Sequence, residues 1–119
     1  MNELNRLDPV RMLDAEARRS SGGTPPTRFL FVVCSADRAL FVLSELGGMG
    51  WRVTRSRREA SLEDGRVIHV LTANRVGAMR GCRIAGYLAD EDVALSLSQR
   101  MALMPMMLGN RPAEAAAHE

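Results

Sequence analysis

Apolar residues in this chain fall into short runs separated by clusters of glycine, proline, serine and asparagine, and the period of each run predicts its element. Phe29 to Val33 is a continuous apolar run of β-favouring residues, the pattern of a strand covered on both faces. A helix is predicted from about Ser35 to Leu46, where Ala39, Leu40, Leu43 and Leu46 recur at helical spacing and Gly47-Gly48 supply the stop. Together they read as the first half of a βαβ unit. From Trp51 to Asp64 the chain is more polar and alternates, with Ala60 and Leu62 on one side and Ser61 and Glu63 on the other. Asp64-Gly65 is a strong hairpin signal with positive φ expected at both residues, and Val67 to Leu71 is the returning strand.

A short helix or turn around Val76 to Arg80 then leads through Gly81 into a last strand, Ile84 to Ala89, which ends at Asp90-Glu91-Asp92. Asp92 is placed to cap a final helix in which Val93, Leu97, Met101 and Met104 share a face, with Pro105 ending or kinking it. Met101, Met104, Met106 and Met107, with Leu103 and Leu108, are expected mostly as helix–sheet packing, although methionine-rich faces also make adaptable partner surfaces. At the other end, Asp8 and Pro9 suit a helix start, and Val10, Leu13 and Ala17 form a stripe too thin to fold alone. The predicted layout is a helical appendage over residues 1–20, a linker over 21–27, an α/β domain over 28–110 and a flexible tail over 111–119. The fold class is α/β, a small three-layer sheet of four to five strands, partly parallel, with a β-hairpin.

Composition narrows this little. A chain of 119 residues with 46% hydrophobic and 25% charged residues has room for one ordered domain. No apolar run approaches the ~20 residues that cross a bilayer, and no signal-like pattern opens the chain, so no membrane association and a cytoplasmic location are expected. Cys34 and Cys82 stand in apolar settings and are expected as buried free thiols; with His69 and His118 the only histidines, a zinc-type metal site is not indicated. His69 lies in an apolar strand and is expected to be structural. The net charge of +2 identifies no partner, but all 16 basic residues are arginine. Chemistry that needs a lysine, such as a phosphate-loop amine or a Schiff base, is excluded.

Two clusters carry candidate chemistry. The first is the strand that delivers Asp90 and Glu91 at its carboxyl end. Adjacent carboxylates there suit nucleotide hydrolysis, one holding the Mg²⁺ water shell and the other polarising the attacking water. Acids in the first turn of a following helix give the same pattern with no chemistry. The second cluster is Arg52, Arg55, Arg57 and Arg58 after Trp51, with Arg66 across the hairpin. These residues could grip nucleic-acid phosphates while Trp51 stacks on a base, or they could be a solvated strand face that discourages edge pairing.

In element order, the stretch from about Phe29 to Asp92 resembles the middle of the ATPase domain of phage terminase large subunits and, more distantly, of helicases. The resemblance runs through the strand and helix Phe29–Leu46, the Asp64-Gly65 hairpin with Val67–Leu71, the loop Met79-Arg80-Gly81, and the strand into Asp90-Glu91. It implies a P-loop-NTPase-like, Rossmann-like sheet in a phage or prophage protein. In that setting Asp90 is the magnesium-associated acid, Glu91 the catalytic acid, and Arg80 and Gly81 belong to the preceding loop. The departures bear on activity. The glycine-rich phosphate loop expected before Phe29 is replaced by Ser20-Ser21-Gly22-Gly23-Thr24-Pro25-Pro26-Thr27, which has no lysine, and its prolines donate no N–H to a phosphate. The expectation is therefore a degenerate, non-catalytic core that binds a nucleotide with Mg²⁺ or a protein partner. The alternatives are a regulator using the fold as scaffold, a homo-oligomer, or a small nucleic-acid binder.

Overall fold

The computed structural model describes residues 6–20, 26–79 and 81–108. In chain order the elements are α1 (Asp8–Arg19), β1 (Thr27–Val33), α2 (Ala36–Gly48), β2 (Arg52–Thr54), β3 (Glu59–Ser61), β4 (Arg66–Thr72), β5 (Gly86–Ala89) and α3 (Leu97–Leu108). Two 3-10 segments, Arg55–Arg57 and Ala73–Met79, link β2 to β3 and leave β4. The five strands form one mixed sheet in the order β2-β3-β4-β1-β5. β4, β1 and β5 are parallel, while β2, β3 and β4 form an antiparallel meander.

β1 is central and apolar on both faces because both are covered. Phe29, Phe31 and Val33 join Ile68 and Val70 of β4 beneath α1 and α2. Leu30 and Val32 pack on the opposite side with Val76, Met79, Ile84, Leu103 and Met106. The layers are thus helices α1 and α2, the sheet, and the 3-10 helix with α3. Helix α1 is more than an appendage: Val10 and Leu13 are fully buried in the same cluster as Leu43 and Leu46. Its thin stripe suffices because α2 and the sheet supply the rest of the core.

Local chemistry explains most of the boundaries. Ser35 caps α2, its hydroxyl accepting the Arg38 N–H at 3.1 Å. The stop comes later than Gly47-Gly48, which are both helical. Gly50, at φ +102°, donates to Gly47 O at 3.3 Å while Trp51 N–H reaches Leu46 O at 3.0 Å, the paired bonds of a Schellman ending. The stretch read as one strand over 51–64 is broken after Thr54 by the Arg55–Arg57 turn, which closes on Arg58 at φ +53°. At the Asp64-Gly65 hairpin only the glycine takes positive φ (+95°), and Leu62 N–H pairs with Arg66 O at 2.9 Å, so the loop is a turn followed by a glycine bulge.

The final helix starts later than Asp92 would place it. Ser96 and Gln99 cap it reciprocally: Gln99 N–H donates to Ser96 Oγ at 3.1 Å and Ser96 N–H to Gln99 Oε1 at 2.9 Å. The face it buries also differs from expectation. Leu103 and Met106 pack inward, whereas Leu97, Met101 and Met104 are 75%, 59% and 55% exposed. The helix is apolar on two sides, so spacing alone could not choose between them. Pro105 lies within α3 and does not end it. Among the described residues no helix is long and apolar enough to cross a membrane.

Candidate functional site at the carboxyl edge of the sheet

Parallel strands β4, β1 and β5 bring their carboxyl ends to one edge. There β1 connects to α2 on one face of the sheet, while the neighbouring β4 connects to the 3-10 helix on the other. Adjacent strands whose connections leave to opposite faces open a crevice between them, the usual ligand position in open α/β sheets. A cleft of about 620 Å³ lies here, lined by Val33, Cys34, Thr72, Asn74, Asp92 and Gln99. Thr72 Oγ1 donates to Asn74 Oδ1 at 2.6 Å, and Gln99 Nε2 donates to Ala73 O at 3.2 Å, so part of this lining is already tied to the protein. Cys34 is exposed at the mouth and not buried as its sequence setting suggested, because β1 ends one residue earlier. Cys82 is half-buried, and both thiols are free.

Asp90 stands at the same edge, on the β5 side. It is 4% exposed and bound by Arg38, itself 1% exposed and in the first turn of α2. Arg38 Nε donates to Asp90 Oδ2 at 2.6 Å and Nη2 to Oδ1 at 3.2 Å, a two-pronged guanidinium–carboxylate pair. Oδ1 also accepts the Glu91 N–H at 3.0 Å. The remaining arm of Arg38, Nη1, donates to Arg6 O at 2.8 Å, just before α1. Glu91 is exposed and pairs with Arg6 through Nη2 at 2.7 Å. One buried arginine thus joins the starts of two helices to the end of β5, and both Asp90 oxygens are engaged. Sequence reasoning missed Arg38, because a charged residue between apolar helix positions looks solvated until a buried carboxylate is known to face it.

Gly81 is not brought to this edge. Ala85 N–H bonds Arg28 O near the amino end of β1, so the loop through Gly81 (φ +91°) enters β5 from the opposite edge, roughly 13 Å from Asp90 at ~3.3 Å per residue. Arg80 lies outside the described residues. Among those described, no three of histidine, cysteine, aspartate and glutamate gather as a metal-ligand set.

The arginines divide between the two edges. Arg55, Arg57 and Arg58 form the β2–β3 turn beside the carboxyl end of β4, where Val70 N–H bonds Arg58 O at 2.9 Å. Arg52 faces Ser61 and lies with Arg66 toward the amino end of β4. Arg66 is a strut: Nε and Nη2 donate to Ser20 O at 3.2 and 3.1 Å, and Nη1 pairs with Asp64. Arg58 is half-buried, and its buried Nη1 has no hydrogen-bond partner among the described residues. Among the described residues Arg52, Arg55 and Arg57 are exposed and have no acidic partner within ion-pair distance. Trp51 is 3% exposed, donates through Nε1 to Asp14 at 2.7 Å and lies under the Arg18 guanidinium, so it offers no free ring face for a base.

No family model, curated protein or solved structure matches the chain.

Proposed function

We propose that this protein is a non-catalytic, partner-binding module on a degenerate terminase- or helicase-like ATPase core, encoded by a phage or prophage. The observation that carries the reading is the closure of Asp90 by Arg38. A carboxylate that holds the water shell of Mg²⁺ needs a face open to water, and Asp90 is buried with both oxygens engaged by a guanidinium and a backbone N–H. The position of a hydrolytic acid is kept at the end of a parallel strand, while its group acts as a structural anchor. The absence of lysine supports the same view. For partner binding, the support is the exposed row Leu97, Met101 and Met104, spaced at i, i+4 and i+7 on α3.

The test is calorimetric titration of the purified protein with Mg²⁺-ATP and Mg²⁺-ADP, alongside unfolding of Asp90→Ala. No binding up to millimolar ligand is expected, and Asp90→Ala should lose about 3–5 kcal/mol of stability because Arg38 is left buried and uncompensated. Nucleotide binding that disappears in a still-folded Asp90→Ala protein would overturn the reading. A second reading rests on Arg52, Arg55 and Arg57, exposed and without an acidic partner among the described residues. Salt-sensitive binding to single-stranded DNA or RNA that falls when Arg55 and Arg57 are replaced by serine would favour a nucleic-acid binder instead.

A further inference from the structure

The two faces of the sheet differ in charge. Helices α1 and α2, on one side, carry Asp8, Asp14, Glu16, Asp37 and Glu45 among their arginines. The layer on the other side falls within residues 73–89 and 93–108, which contain no aspartate or glutamate. Its exposed charges among the described residues are Arg75, Arg83 and Arg100, and none has an acidic partner within ion-pair distance. Gln99 Nε2 bonds Ala73 O at 3.2 Å and Ile84 N–H bonds Met106 O at 3.3 Å, so Arg75 and Arg83 stand near opposite ends of α3. Arg100 is on α3 itself, three residues after Leu97 and four before Met104, and so borders their row. The neighbouring acids are placed elsewhere: Glu59 stands 3.7 Å from His69, and Asp92 lines the cleft at the carboxyl edge.

We propose that this face docks an acidic amphipathic helix of a partner protein, a proposal that rests on the partner-binding reading above and names the partner's chemistry. Leu97, Met101 and Met104, all more than half exposed, are separated by four and three residues, the spacing of a coiled-coil seam. They lie opposite the side that α3 buries through Leu103 and Met106. A helix with apolar residues at the same spacing fits along such a row, and methionine side chains adapt to its shape. Charge selects among the possible occupants. A face whose only charges are arginines attracts carboxylates at the rim of the seam, whereas a second copy of this chain would bring arginines against arginines. A lipid surface is the poorer match, because the exposed apolar strip is one residue wide and α3 has no aromatic residue to sit at the headgroups.

The test is fluorescence anisotropy of the intact protein with two labelled synthetic helices, each with leucine at the a and d positions of its heptads. One carries glutamate at the flanking e and g positions, the other lysine. The glutamate peptide should bind about tenfold or more tighter than the lysine peptide, and rising salt should narrow the gap. Arg100→Glu should weaken the glutamate peptide about tenfold and strengthen the lysine peptide. Met101→Ser, at an exposed position that leaves the core intact, should weaken both about tenfold. No binding of the glutamate peptide at millimolar concentration, or equal binding of the two peptides, would overturn the proposal. So would self-association in sedimentation velocity that Met101→Ser abolishes, which assigns the face to a second copy. Binding to phosphatidylglycerol vesicles without peptide binding would assign it to a membrane and overturn it equally. The two proposals fail separately. Nucleotide binding at Asp90 would remove the non-catalytic reading and leave a peptide result standing, while failure of the peptide alone removes only the partner named here.

Discussion

His69 shows how tertiary surroundings set the chemistry of one residue. It is buried in β4, with Arg28 Nη1 at 2.9 Å from Nε2. A guanidinium only donates, so Nε2 accepts and the neutral ring carries its proton on Nδ1, 3.7 Å from Glu59 Oε1. Burial holds the His69 pKa below its ordinary 6.5; the Glu59 carboxylate pulls it up, Arg28 pushes it down, and burial prevails. Because the folded pKa lies under the unfolded one, the unfolded chain takes up the proton first on acidification. Stability is therefore full above the unfolded value of about 6.5 and falls as pH drops below it. The urea midpoint should be flat from about pH 7 to 8 and decline between about pH 6.5 and 5. His69→Gln should flatten that decline, and an unchanged slope would move the cause to another group. Asp64, held low chiefly by the Arg66 backbone N–H, acts in a separate window, below its ordinary 3.8.

At the scale of elements, the ends are set by short-range chemistry and the buried faces are not. The ending of α2 separates two glycines that look alike in sequence. Gly50 is at φ +102°, where any side chain is strained, whereas Gly48 is helical with open space around it. Gly50→Ala should cost about 1–2 kcal/mol. Gly48→Ala should be neutral or stabilise by up to about 1 kcal/mol, since alanine favours the helix. Chemical denaturation of the two variants reads this directly, and equal effects would contradict the ending described. Asp92 offered a helix start in the sequence, but the reciprocal Ser96–Gln99 bonds set the cap four residues later. The helix is held in place at both ends, Gln99 Nε2 bonding Ala73 O at 3.2 Å and Ile84 N–H meeting Met106 O at 3.3 Å.

For the whole molecule, α1 is the element whose status changes most. Its apolar stripe is short, but Leu13 is fully buried among Leu43, Leu46 and the sheet, and Trp51 bonds back to Asp14. Arg18 adds a tie to Met49 O at 2.7 Å, and Arg6 meets Arg38 and Glu91 across the carboxyl edge. Leu13→Ala should therefore destabilise the whole domain by about 2–5 kcal/mol in a single cooperative transition. A loss of only a few tenths would mean that α1 is an appendage after all.

Local pattern determined the strands of the parallel core, the α2 cap, the hairpin at Gly65 and the prominence of the Asp90 strand. These depend on the period of apolar residues and on turn chemistry within a few positions, so they are legible in one dimension. Contacts between distant segments were decided elsewhere. Nothing near Asp90 in sequence signals that Arg38, 52 residues away, closes its carboxylate. Nor does local sequence reveal that the arginines split between opposite edges, that Trp51 is enclosed, or that Leu97, Met101 and Met104 face outward. A residue's period says that it has a face, but burial and charge pairing depend on what the fold sets against that face. The acidic pair that stood out in the sequence is, in three dimensions, one buried carboxylate bound by Arg38 and one exposed carboxylate paired with Arg6.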